Sequence, residues 1–484
     1  MSEFSKYLDY LIKCRDLKLV QVAEICKVDT STIFRWANGK VLPKSWERLE
    51  PVVKKLRLTP YEVSVLRNAY RKELLGESQG QCFEEIMKIF RILEQKQEKY
   101  QCAGQEKEWG NQGEREWRLG AGFCALGSKI EVWRHIQDAL GQASRQDGQG
   151  LYLKLHDISD VLLMELKGLC SQRDGGRVSI LICEGNGAAN RAEEKLKQMR
   201  KILDLLFGER EIYIYYLDAS DGAAWEGQNW IVSDGFFLQF SNDMSRGMAT
   251  GDETWIAFFQ ERMGRLEERG TPIHKDAIGA MEYVERVTAK EGIQAAAVEY
   301  MPCVGMGLTE EILQDRIYKE TPFREEMIQK ILANQPNRIP GIGQLFSYFT
   351  REGLMEFMES GRVEIFPYKI YSPATLQQRC QVLANLIALA EKEPSIHYLM
   401  LKEGFLGMKG IYVEQRDGAG DSLRIELQFR GEGKEGIAIL DWEIQQAYRD
   451  FFAYLKKSVN VYGEEETLAC LREVLETYQR KEVS

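Results

Sequence analysis

Apolar residues recur at three- and four-residue spacing through the first 75 positions, then give way to alternating and continuous runs beyond about residue 150. The chain therefore reads as a helical head followed by a mixed body. Phe4, Tyr7, Leu8, Leu11 and Ile12 predict a first helix. From Leu17 to Pro43 the positions Val22, Ala23, Val28, Ile33 and Trp36 predict two short helices joined by a tight turn, each burying one face. Asp29 stands where its carboxylate can cap the second of them. A fourth helix runs to about Leu56, with Pro51 expected to kink it by removing a donor. Thr59-Pro60-Tyr61-Glu62 is a capping-box start for a fifth helix carrying Val63, Leu66 and Tyr70.

Residues 76–118 are expected to be an amphipathic helix followed by a linker. Phe83, Ile86, Phe90 and Leu93 form a seam that suits either a short coiled coil between two subunits or packing on the chain's own body. Gly104 to Gly120 is rich in Gln, Glu and Gly and poor in hydrophobes, which marks the linker. Beyond it, Lys129–Ala143, Ser159–Cys170 and Arg191–Phe207 read as helices between strands at Leu151–Leu155, Arg177–Cys183 and Ile212–Leu217. That alternation implies a parallel sheet with helices on its faces. Asn229–Val232 and Phe236–Phe240 read as a hairpin, and Trp255–Leu266 as a closing helix.

Residues 119–270 thus form a first α/β unit, 271–360 a helical connector, and 361–484 a second α/β unit. In the second, Val363–Tyr368, His397–Leu401, Gly410–Val413, Leu423–Gln428 and Ile437–Leu440 are strand-like. Pro373–Lys392, Trp442–Lys457 and Glu464–Arg480 are helical. The stretches Lys195–Leu266 and Gln377–Leu455 share one order of elements, which suggests an internal duplication. The fold class expected is multidomain: an all-α five-helix head, then a large mixed α/β body.

Charge sharpens this division. The whole chain carries a formal charge of -10, yet residues 1–75 hold 15 Lys/Arg against 9 Asp/Glu, and the remainder 49 against 65. Polyanion contact is therefore expected at the head alone. Ten scattered Cys without a Cys-x-x-Cys pair or a His cluster read as reduced thiols in a cytoplasmic protein, with no metal and no cofactor expected. No apolar run approaches the roughly 20 residues that span a bilayer, and an amphipathic helix begins almost at Met1, leaving no room for a targeting segment.

The block Ala23-Glu24, Val28-Asp29, Ser31-Thr32-Ile33, Arg35-Trp36, Gly39-Lys40 and Leu42-Pro43 resembles the Cro/repressor-type (XRE) helix-turn-helix family over roughly the first 70 residues. The resemblance implies a lambda-repressor-like domain whose second motif helix enters the major groove of an operator. Carried over by position, it implies Thr30, Ser31 and Arg35 as groove readers and Asn38 and Lys40 as backbone clamps, with Thr32 and Lys44 also among the DNA-binding residues. Double-stranded DNA, a homodimer partner and an unknown small-molecule or protein effector are the partners implied, with no membrane. On this reading the chain is a sequence-specific transcriptional regulator with a sensing body, and not an enzyme.

The alternative is an adaptor or enzyme body tethered by a DNA- or protein-binding head. Asn229-Trp230-Ile231-Val232-Ser233-Asp234 and the duplicated order resemble phospholipase-D-like modules. Activity in that family needs His-x-Lys in each half, and none of His135, His156, His274 and His397 is followed by Lys two residues on. The resemblance therefore implies an inactive fold and no catalytic residue. The local candidate for a ligand turn is Cys183-Glu184-Gly185-Asn186-Gly187, a strand end passing through glycines into a helix whose free amides favour an anion. A plain strand-to-helix turn is its other reading.

Overall fold

The computed structural model describes the chain except residues 1, 16, 45, 103–118, 146–149, 157, 171–175, 184–190, 208–209, 211, 218–227, 279–293, 334, 336–342, 364–365, 367–369, 407–408, 418–421, 430–432 and 484. An N-terminal helical region precedes a body built on one 14-stranded mixed sheet.

The helical region holds α1 (Glu3–Lys13), α2 (Leu19–Cys26), α3 (Thr30–Ala37), α4 (Glu50–Lys55) and α5 (Pro60–Leu75) around Phe4, Leu8, Leu11, Ile33, Trp36, Trp46, Leu66 and Tyr70. Asp29 is the N-cap residue of α3, but its side chain makes no capping bond. Pro51 lies in the first turn of α4, where its missing N–H has no intrahelical partner to lose, so the expected kink does not arise. Thr59 and Glu62 cap α5 reciprocally, at 3.3 Å from the Glu62 N–H to Thr59 Oγ1 and 2.8 Å from the Thr59 N–H to Glu62 Oε2.

Glu62 also accepts from Arg15 Nη2 at 2.7 Å, and that bond, with the Thr59 amide, pulls its pKa from 4.5 to about 2. Because the folded value is depressed, the stability Glu62 contributes is fully present above about pH 4.5 and is lost as the pH falls towards 2. Glu62→Gln is therefore expected to flatten this part of the acid limb in unfolding midpoints followed by circular dichroism. An unchanged acid limb would remove the Arg15–Glu62 contact from the account.

Helix α6 (Glu77–Cys102) carries Phe83, Ile86, Ile89, Phe90 and Leu93 into the largest core of the body. The seam that suited a coiled coil is thus used within the chain. Buried Arg71 of α5 lies over the Phe83 ring, 4.0 Å from guanidinium carbon to centroid, and so ties head to body. The expected linker falls almost wholly outside the described residues.

The body continues through β1 (Cys124–Leu126), α7 (Lys129–Arg145), β2 (Leu151–Leu155), α8 (Asp160–Cys170), β3 (Val178–Cys183), α9 (Arg191–Leu206), β4 (Ile212–Leu217), β5 (Gln228–Val232), β6 (Phe237–Ser241), β7 (Gly247–Thr250), α10 (Glu253–Arg269) and β8 (Thr271–Ile278). Next come β9 (Gln294–Val298), α11 (Glu310–Arg316), α12 (Arg324–Ala333), β10 (Leu345–Phe349), α13 (Arg351–Ser360), α14 (Leu376–Lys392) and β11 (Ile396–Met400). The chain ends with β12 (Ile411–Asp417), β13 (Ser422–Phe429), β14 (Gly433–Ile439), α15 (Trp442–Leu455) and α16 (Glu464–Val483).

The region expected as a helical connector, 271–360, therefore contains three strands among its described residues. Gln294–Val298 is alanine-rich and has the propensity of a helix, but it sits between β10 and β12 in the sheet, where pairing overrides propensity. Val363 and Phe366, expected in a strand, lie in none.

Sheet order is β1-β7-β6-β5-β2-β3-β4-β8-β14-β13-β12-β9-β10-β11, and it repeats. In the first unit β2 pairs parallel with β3 and β3 with β4, while β5, β6 and β7 follow antiparallel on the other side of β2. In the second, β9 pairs parallel with β10 and β10 with β11, while β12, β13 and β14 follow antiparallel on the other side of β9. Asp252 and Asp441 then N-cap the helices that close the two runs, α10 and α15. Strand β8 joins the units by pairing with both β4 and β14. Helices α9 and α15 share one core with α6, whereas α10 packs on the opposite face of the first unit.

Candidate functional site

Strand β2 is apolar on the face of Leu151, Leu153 and Leu155, which pack under α7, α8 and α9. Its other face carries Tyr152 and Lys154, with His156 just beyond the strand, and lies under α10 beside Leu181, Cys183, Trp230 and Val232. A parallel strand covered on both faces favours hydrocarbon throughout, so a lysine there stands out. Lys154 is 1% exposed. Its ammonium donates towards His156 Nε2 at 3.3 Å and the Gln228 carbonyl at 3.4 Å, and lies 4.8 Å from the centroid of the Trp230 ring.

Burial lowers the Lys154 pKa, with the nearby Cys183 thiol acting in the other direction. Burial likewise raises that thiol, which Lys154 partly offsets. Among the described residues no carboxylate forms an ion pair with Lys154. The backbone N–H of His156 donates to Asn229 Oδ1 at 2.9 Å, and Asn229 Nδ2 donates to Asn242 Oδ1 at 3.0 Å. Half-buried His156 is thereby held over the buried ammonium.

These groups meet at the carboxyl ends of β2 and β3, where β2 has a parallel neighbour on one side and antiparallel β5 on the other. In open α/β sheets ligands bind outside the carboxyl ends of the strands. The second unit lacks the cation. Counting back four residues from Asp234 and from Asp417, each followed by glycine in the sequence, brings Trp230 and Val413 to the same place. Trp230 faces Lys154 across the ladder, and Val413 faces Val298. Tyr300 then stands where the first unit has His156.

The residues expected to contact a groove gather on α3 and just after it. Thr30, Ser31, Arg35, Lys40 and Lys44 are exposed, while Thr32 and Asn38 are half-buried. Asn38 is spent locally, because its Nδ2 donates to the Phe34 carbonyl at 2.8 Å and closes the end of α3. This face lies apart from the Lys154 site. Of the expected ligand turn at 183–187, Cys183 is described and adjoins Lys154, and the other four residues lie outside the described set. A small cleft of about 140 Å³ between α6 and α15, bordered by Cys82, Phe83, Gln446 and Asp450, is remote from both. Gln79 and Asp450 on its wall bond to each other at 2.9 Å, so we place the chemistry at Lys154. Among the described residues no group of acidic, His or Cys side chains could hold a metal, and no helix is long and apolar enough to cross a membrane.

No known family profile matches the sequence, and no curated protein does. Among solved structures the chain is similar to a phosphatidylserine synthase from Haemophilus influenzae Rd KW20, at 10% identity and TM-score 0.22, covering 76% of this chain and 95% of that one. It is also similar to a polyphosphate kinase from Porphyromonas gingivalis, at 10% identity and TM-score 0.21, covering 69% of this chain and 49% of that one. At these values the likeness transfers no substrate and no residue role. Both neighbours are named as enzymes, none as a regulator. These names run against the expectation of a transcription regulator that is not an enzyme, and that expectation is withdrawn.

The sequence reading missed Lys154, His156 and Asn229 because they are far apart or lie in a strand that reads as plain core. The available signal was the lysine itself, the one charged residue in Leu151–Leu155.

Proposed function

We propose that the body is of the enzyme type and takes a phosphate-bearing ligand at the carboxyl ends of β2 and β3, with the N-terminal helices as its tether. The observation that carries this reading is Lys154, a buried cation with no ion-paired carboxylate among the described residues. A buried ammonium without a counter-charge is costly, and a ligand anion supplies that charge. His156 is half-buried and lies against the Lys154 ammonium. Its Nε2 accepts from the ammonium, which leaves the ring proton on Nδ1 and fits it to hold or transfer a proton at a phosphate oxygen. Asn229 positions His156 through its backbone. The effector expected from the sequence is read here as this phosphate ligand.

Thermal denaturation of the full-length chain in inorganic phosphate, pyrophosphate and glycerol phosphate tests the reading. A concentration-dependent rise in midpoint with at least one of these, absent with glycerol at the same millimolar concentrations and weakened about tenfold in apparent affinity by His156→Gln, is expected. No shift with any phosphate would sink it.

The head has its own exposed polar face. Thr30, Ser31 and Arg35 project from α3 opposite buried Ile33 and Trp36, in a head rich in Lys and Arg. A helix-turn-helix tether whose partner is duplex DNA, engaged as a homodimer, is the reading this face favours. Fluorescence anisotropy with DNA fragments across a salt series should then show affinity falling steeply with salt. Arg35→Ala should weaken binding by about 1–3 kcal/mol if it meets a base edge. Equal affinity for wild type and Arg35→Ala would take Arg35 out of the interface.

A further inference from the structure

We propose that the cleft between α6 and α15 is a binding site for a small organic cation, an ammonium or guanidinium group on a short apolar stem. Its floor is apolar, formed by Leu75, Cys82, Phe83, Ala447 and Phe451, with Trp442 on the rim at 61% exposure. At about 140 Å³ it is smaller than the roughly 300 Å³ at which sites for drug-sized ligands begin, so its occupant is small.

The polar wall is rich in acceptors. Asp450, half-buried, takes one bond from Gln79 Nε2 at 2.9 Å and one from Gln446 Nε2 at 3.0 Å. An ionised carboxylate only accepts, so each amide turns its NH2 to Asp450 and leaves its carbonyl oxygen for a ligand. The carboxylate keeps free lone pairs after these two bonds, and the Ser78 hydroxyl can accept as well as donate. Such a wall suits a group with several N–H donors.

Charge points the same way. The bonds to Asp450 come from neutral amides, and among the described residues no Lys or Arg forms an ion pair with it. The cations of the surroundings are committed elsewhere. Lys195 bonds Asp441 at 2.6 Å and Glu443 at 2.8 Å, Arg191 acts on Glu443, and buried Arg71 lies on the rings of Phe83 and Tyr454. Glu443 is two turns of α15 away from Asp450, about 10 Å along the axis. A ligand cation therefore supplies Asp450 with its counter-charge while its stem covers Phe83 and Phe451. The Trp442 ring favours the same sign, and the Arg449 guanidinium carbon already lies 5.4 Å from its centroid. The position of the cleft gives binding a consequence. Leu75 ends α5, and Gly76, at φ 87°, turns the chain into α6. The ligand touches the end of α5, α6 and α15 together, and so pins the helical region to the body beside the Arg71 contact. The cleft is remote from Lys154, and this inference stands independently of the phosphate site.

Isothermal titration of cadaverine and of benzylamine into the full-length chain tests it, with pentanediol and benzyl alcohol as the uncharged counterparts. Saturable binding of at least one amine at one site per chain is expected, and none of its alcohol counterpart. Asp450→Asn should weaken that amine about tenfold or more. Gln446→Lys, which offers Asp450 an ammonium from one turn earlier in α15, should abolish amine binding with the circular dichroism of the fold unchanged. Hydrogen exchange on amine binding should slow in residues 75–83 and 446–451 ahead of the rest of the chain. Absence of saturable binding by either amine, equal binding of amine and alcohol, or wild-type affinity in folded Asp450→Asn or Gln446→Lys would each overturn the proposal.

Discussion

Lys154→Met is expected to raise the stability of the folded chain by about 1–4 kcal/mol while abolishing its response to phosphate. Methionine keeps the length and the apolar stem of the side chain, so the space between β2, Trp230 and α10 stays filled. What disappears is an ammonium held in a site 1% exposed to solvent. The pH dependence carries the same sign. Because burial depresses the folded pKa of Lys154 below its ordinary 10.5, the unfolded chain binds the proton more readily between the two values. Stability contributed through Lys154 therefore rises with pH across that window, and the destabilisation is fully present below it. Urea midpoints of wild type and Lys154→Met at neutral pH and at about pH 10 should converge as the pH rises. A less stable Lys154→Met protein would mean that the lysine is structural.

Lys195→Met is expected to act in the opposite direction and to cost about 3–5 kcal/mol. Lys195 of α9 donates to Asp441 at 2.6 Å and to Glu443 at 2.8 Å, at the start of α15, and so bolts the first unit to the second. Asp441 is buried, and its other oxygen accepts from the Ile444 N–H as the cap of α15. Removing the cation leaves that carboxylate buried without its charge partner. At Glu443 burial raises the pKa, but the bond and charge of Lys195 outweigh it and hold the carboxyl below its ordinary value. The contribution of that bond is accordingly present above the ordinary carboxylate range and is lost as the pH falls through the depressed value. Urea midpoints measure the loss. A change within about 0.5 kcal/mol, the range usual for surface substitutions, would contradict the bolt.

The two lysines differ in what surrounds them, and the sequence shows neither difference. Lys154 stands in a strand whose other residues are apolar or aromatic. Lys195 stands in a helix whose composition is that of a solvated surface, Arg-Ala-Glu-Glu-Lys-Leu-Lys-Gln. Periodicity identified β2 to β6 of the first unit and the helices between them, because each alternates or repeats over enough residues to be distinctive, and it missed the short β1 and β7. It did not identify Gln294–Val298 or Leu345–Phe349, where a short strand gains its identity from its neighbours in the sheet. It left the seam of α6 open between a partner chain and the body, since an amphipathic stripe is the same in either case, and Phe83 and Phe90 meeting Phe451 decides it. The order of elements also hinted at a duplication. Pairing establishes the repeat, strand by strand, although residues as different as Lys154 and Val298 occupy the same place in it.

Isothermal titration of pyrophosphate into the full-length wild type and into Lys154→Met tests the central claim most directly. The account predicts saturable binding at one site per chain in the wild type and none in Lys154→Met, with the variant folded and more stable. Equal binding by the two proteins would contradict it, because the charge at Lys154 would then have no part in holding the ligand.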